Sequence, residues 1–219
     1  MKTTTGVLIG ALLVVAVILG VLWYQKNERA DDNTGGITIG ITDATTDINN
    51  VSGIDMTVKK VELHSATKGW VTISSNNKKY DLLALHASGK TELYAQNKVD
   101  AGTYDRVRVT TGDVVVKTKT NGNMNAYTPG SQIIFNMNVA VKGNEDTAVK
   151  IDVLADKSLH TTKDGKFVFA AVVKAESMHG GQVAVADDNS VTMANGTVAS
   201  SGTVGLDLDG QSRSNFQLD

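Results

Sequence analysis

Cysteine is absent from this chain, and disulfides, thiol nucleophiles, cysteine-ligated metals and an acylated lipoprotein anchor are excluded with it. The fold must be stabilised by an ordinary apolar core. Proline is nearly absent too, Pro129 being the single one, which argues against an extended proline-rich stalk. Charge of one sign is also lacking: 21 Lys and Arg stand against 23 Asp and Glu, and no basic cluster offers a nucleic-acid face. Catalytic signatures are missing as well. There is no HExxH, no GxSxG elbow, no phosphate-binding loop and no dinucleotide fingerprint, and His64, His86, His160 and His179 fall in separate segments. The sequence therefore reads as non-catalytic. A dispersed Ser-His-Asp site is the enzymatic alternative, with His64 or His160 and a nearby aspartate as its participants.

Long apolar runs are missing everywhere but one place. Gly6 to Tyr24, GVLIGALLVVAVILGVLWY, is uncharged and spans about 28 Å as a helix, close to the hydrocarbon thickness of a bilayer. The following YQKNERADD has no small-x-small cleavage site, so the run reads as an uncleaved anchor, with a cleaved export signal as the alternative. The expected arrangement is a single-pass membrane protein: residues 1–24 anchor it, 25–35 link, and the C-terminal domain is extracellular. Gly6 and Gly10 have the GxxxG spacing through which membrane helices self-associate.

Beyond the linker the pattern changes to alternation. Ile37, Ile39 and Ile41 alternate with Thr38, Gly40 and Thr42, the period of a half-buried strand. In IDMTVKKVELH, Ile54, Met56 and Val58 share one face and Val61 and Leu63 the other phase, which a bulge near Lys59 and Lys60 reconciles. Further strands are expected at 70–74, 104–110, 114–118, 132–141, 147–154 and 166–174, separated by turn-forming SSNN, NGN, KGNED and TKDG. Only 81–93 looks helical, and Gly89 interrupts it. Many short strands without helices between them predict an all-β chain, an antiparallel sandwich over 36–180. Residues 181–219 read as an acidic tail with two hairpin signals, ADDNS and Asn195-Gly196, and with a last dozen residues too poor in apolar groups to pack independently.

Oxygen ligands suited to calcium occur at Asp43 with Asp47, at Asp187-Asp188-Asn189, and at Asp207 with Asp209 before Gly210, the last pair being the best candidate. None follows an EF-hand register, and aspartates in such loops commonly serve as turn formers. No other cofactor is expected. Asn50-Val51-Ser52 and Asn195-Gly196-Thr197 are glycosylation sequons in turn-like settings. In AGTYDRVRV, Val107 and Val109 are expected to face the core, leaving Tyr104 in the arginine phase and over a sheet edge.

The order of ITDATTD (41–47), VKKVELHSATKGWVTI with Val61, His64 and Trp70, YDLLAL (80–85), AGTYDRVRV (101–109), KIDVLADKS and GKFVFAAVV resembles the exported bacterial and archaeal proteins of the family called domain of unknown function 4382. Thr45 stands where that family usually has proline. The resemblance implies an immunoglobulin-like or prealbumin-like β-sandwich on a cell surface and brings no catalytic residues. A tethered module binding an envelope glycan or protein is the expected function. A filament or layer subunit that donates the strand beginning at Gly36 is the alternative.

Overall fold

The computed structural model describes residues 33–44 and 48–214. The expected anchor, residues 6–24, and the candidate ligand Asp47 lie outside the described residues. Among the described residues, no helix is long and apolar enough to cross a membrane.

The described chain is mostly β, with two short helices. In order it forms β1 (Thr34–Thr42), β2 (Val51–Ser65), β3 (Gly69–Ser74), β4 (Lys78–Asp81), α1 (Leu82–Ser88), β5 (Glu92–Asp100), β6 (Gly102–Thr118), β7 (Gly122–Ala126), β8 (Gln132–Val141) and β9 (Asp146–Val153). Then follow α2 (Ala155–Ser158), β10 (Leu159–Thr161), β11 (Phe167–Phe169), β12 (Val172–His179), β13 (Gln182–Val185), β14 (Val191–Ala194), β15 (Thr197–Leu206) and β16 (Ser212–Arg213). One six-stranded sheet has the order β16-β15-β12-β9-β1-β5; the other runs β3-β2-β6-β7, with β4 also on β2 and β8 also on β6. Apolar residues from both sheets share one core.

The pairing is not antiparallel throughout, as the sequence pattern suggested. β1 runs parallel to β9 while antiparallel to β5. Ile37, Ile39 and Ile41 are fully buried, and Thr38 on the other side of the same strand is also buried. This strand has a neighbour on each side, β9 and β5, and its isoleucines pack into the chain's own core.

The bulge expected in β2 is present. Val58 pairs with Thr111 and Lys60 with Thr110, leaving Lys59 as the extra residue and returning Val61 and Leu63 to the core. The two strands expected at 104–110 and 114–118 are one strand, β6, because β8 pairs with its first half and β7 with its second. At the changeover, the end of the Lys59 side chain lies over Gly112, where an added Cβ would stand 2.6 Å from Lys59 Cε.

Tyr104 is in the core rather than over an edge. The β6 to β8 register shifts between Tyr104 and Arg106, which puts the ring on the same side as Val107, and its hydroxyl donates to Asp100 O at 2.9 Å. That bond back to the preceding turn is the pattern of a tyrosine corner. The strand expected at 166–174 is broken, since Ala170 N bonds to Ser158 O and separates β11 from β12.

The one expected helical segment holds a short helix. Asp81 caps it by accepting from Ala84 N, Leu82 and Leu85 are buried, and Gly89 ends it at φ 63°. Leu93, read as part of that segment, belongs to β5. In the tail, ADDNS does form the β13–β14 hairpin. Asn195-Gly196 instead leads from β14 into β15, which pairs along its length with β12. The tail thus supplies strands to the main sheet.

Candidate functional site

Past the Lys59 bulge, Val61 and Leu63 point inward, so Lys60, Glu62 and His64 face out from β2. The partners are set by register: Glu62 lies opposite Arg108 and His64 opposite Arg106 on β6, while His64 is also opposite Trp70 on β3. Three strands therefore bring one indole, one imidazole, two guanidiniums and two carboxylates onto one face.

Glu62 anchors the cluster. Its side chain is 6% exposed and its carboxylate accepts from Arg108 Nε at 2.7 Å and Lys60 Nζ at 3.0 Å. Burial alone pushes its carboxyl up, but the hydrogen bonds and charges of Arg108 and Lys60 together hold it below the usual glutamate range. Arg108 carries its Cζ 4.0 Å above the Trp70 ring centroid, and Arg106 Cζ stands 5.5 Å from it. His64 meets the indole edge-on, with centroids 5.1 Å apart.

His64 Nδ1 lies 2.6 Å from Asp105 Oδ1, and Arg106 Nη2 is 2.9 Å from the ring nitrogens. The carboxylate can only accept, so Nδ1 donates to Asp105. The bond from His64 holds the Asp105 carboxyl below the ordinary aspartate range. A His-Asp pair of this kind is half of a hydrolytic triad, and here the Arg106 guanidinium lies against the ring, 2.9 Å from both nitrogens. The arrangement can stack, hydrogen-bond and hold charge.

The remaining candidates stay apart. His160 faces Val168 across the β10–β11 pair, His86 lies in α1, and His179 ends β12. Asp207 and Asp209 close the turn before β16: Arg213 bonds to them at 2.9 and 2.8 Å, and Gln211 N donates to Asp209. Asp188 pairs with Lys90 at 2.6 Å. Asp43 is buried at the end of β1 and accepts from Ala155 N. Among the described residues, no three His, Cys, Asp or Glu groups converge to hold a metal ion. Asn50 and Asn195 are exposed in turns at φ 61° and 58°.

The sequence placed His64 and Trp70 in one motif and the two arginines in another. Their convergence depends on the β2–β3 and β2–β6 registers, although alternating Lys60-Glu62-His64 and Arg106-Arg108 is a local signal of one polar sheet face.

The model of the family described as Domain of unknown function (DUF4382) matches residues 34–171, and the chain belongs to that family. The match runs from β1 through β11 and stops at the start of β12. Neither a curated protein nor a solved structure matches the chain.

Proposed function

We propose that this member of the DUF4382 family is a membrane-tethered, surface-exposed binding or adhesion module of the cell envelope, non-catalytic, whose contact surface is the outer face of β3, β2 and β6. The observation that carries the reading is the array of Trp70, His64, Arg106 and Arg108, ordered by Glu62 and Asp105 on a sheet rather than inside a cleft. Aromatic and arginine side chains held in place before contact lose little freedom on binding, and they supply much of the energy at interfaces. The partner that suits such a face is an envelope glycan or protein. Residues 6–24 supply the tether, with the β domain on the outer side, and the finer fold in this reading is an immunoglobulin-like or prealbumin-like sandwich.

The test combines topology with binding. Protease added to intact cells should release the domain after residue 33 while leaving the apolar run in the membrane fraction. Retention of whole cells on surfaces coated with purified envelope polysaccharide or envelope protein should fall at least tenfold in a Trp70→Ala, Arg106→Ala double variant that is still exported. Undiminished retention would remove this face from the function, and turnover of an envelope substrate abolished by His64→Ala would replace binding with hydrolysis.

A further inference from the structure

Register arranges the outer face of β3, β2, β6 and β8 in two cross-strand rows. Thr72, Glu62, Arg108 and Ile134 stand opposite one another in turn, and beside them so do Trp70, His64, Arg106 and Asn136. With neighbouring strands about 4.8 Å apart, the second row is roughly 14 Å long. The two rows differ in what the fold has already used. Arg108 is 18% exposed, donates through Nε to Glu62 and lies over the indole, so its charge is taken up internally. The Arg106 side chain is 38% exposed and meets His64 through Nη2 and Asp105 through Nε at 3.6 Å. Among the described residues, its Nη1 makes no hydrogen bond.

Charge on this face is positive although the chain is not. Lys60, Arg106 and Arg108 stand there against two carboxylates, Glu62 and Asp105, while the whole chain carries a formal charge of -2. Attraction for an anion is therefore local, and the guanidinium with an unused nitrogen is that of Arg106. Around it lie the half-buried Trp70 and the exposed Asn136.

We propose that the row of Trp70, His64, Arg106 and Asn136 binds an acidic glycan, a chain of pyranose rings bearing carboxylates, with one carboxylate on Arg106. The assignment rests on the reading of this face as the contact surface and names its ligand class. A guanidinium donates to a carboxylate through a charge-assisted bond, and Nη1 is placed to make it. The C–H groups of a pyranose ring pack on the exposed part of the indole, and the Asn136 amide offers both a donor and an acceptor to hydroxyls. The length of the row gives room for more than one ring. An acidic peptide fits less well. Here β2 is paired on both sides by β3 and β6, and β6 by β2 and β8, so the row offers none of the main-chain hydrogen bonds that hold an added peptide strand. What remains for a ligand is side-chain donors, acceptors and aromatic surface, the groups that sugars use.

Calorimetry on the full chain in detergent tests it, with trimers of galacturonate, glucuronate and mannuronate as probes, each beside the same trimer with its carboxyls reduced to alcohols. At least one uronate should bind at least tenfold more tightly than its reduced form. Arg106→Gln should abolish that preference, and Trp70→Ala should weaken both forms at least threefold, in variants whose urea unfolding midpoints match the native chain. Lys119→Ala, which removes an exposed cation just beyond β6, should leave affinity within twofold. No preference for any uronate would overturn the proposal, as would a preference that survives Arg106→Gln or an affinity untouched by Trp70→Ala. Triglutamate bound as tightly as the best uronate would overturn it too, by making an acidic peptide the occupant. Cell retention lost in the Trp70→Ala, Arg106→Ala variant without any uronate preference would overturn this ligand class and leave the envelope reading standing; a uronate preference with undiminished retention would do the reverse.

Discussion

Glu62 and Asp152 stand on the outer faces of the two sheets and are nearly equally hidden from water, 4% and 7% exposed, yet their surroundings act on them with opposite sign. Glu62 is met by Arg108 and Lys60, whose bonds overcome the effect of burial and lower its carboxyl. Asp152 is raised above the ordinary aspartate range by burial, against a backbone bond from Ala44, and its Oδ1 has no hydrogen-bond partner among the described residues. The lysines whose charges act on it, Lys150 and Lys174, are both engaged by Glu176 at 2.9 and 2.8 Å. Burial raises a carboxyl in both places, and the partners decide which way the balance falls.

The comparison is broken most severely by removing the partner. Arg108→Ala leaves Glu62 buried with only Lys60 and should cost about 3 kcal/mol in urea unfolding at pH 7. Adding Glu62→Gln should recover part of that loss, because the uncompensated charge goes with it. If the double variant is no more stable than Arg108→Ala, the buried charge is not the cause.

The reverse change at the other site should help. Asp152→Asn removes a charge the native state holds poorly and should raise stability by about 1 kcal/mol at pH 7.

Titration sharpens the contrast. Glu62 is lowered from 4.5, so its stabilising effect is present above that value and lost as pH falls through the native one. Asp152 is raised from 3.8, so its native state holds the proton more tightly and stability declines as pH rises from 3.8 through the native value. The gain from Asp152→Asn should therefore vanish below 3.8, whereas the loss from Glu62→Gln should shrink only in stronger acid than the ordinary glutamate range. Unfolding midpoints of both variants between pH 3 and 7 check the two signs.

The smallest effect is expected at an exposed pair. Lys90→Ala removes the partner of Asp188, both half-exposed, and thermal unfolding should show no measurable change. A clear loss would mean that the β13–β14 turn is held to the sheet through this contact.

Much of this architecture was legible in short stretches. Strand period, the Lys59 bulge, the ADDNS turn and the Gly89 stop all follow from steric rules acting over a few residues. Tyr104 was misplaced because alternation was carried unchanged through a register irregularity that only pairing with β8 reveals. The candidate face was hidden for a similar reason: Trp70 and Arg108 meet only through their shared neighbour β2.

What the sequence determined alone is the all-β character, the absence of covalent staples and the polarity of each strand face, since these depend on side-chain chemistry and on neighbours one or two residues away. Tertiary structure decided which strands became neighbours: the parallel contact of β1 with β9, the recruitment of β15 into the main sheet, and the opposite treatment of Glu62 and Asp152. Each of those outcomes depends on groups distant in the chain, and hydrogen bonds and charges act over a few ångströms of space regardless of how many residues lie between them.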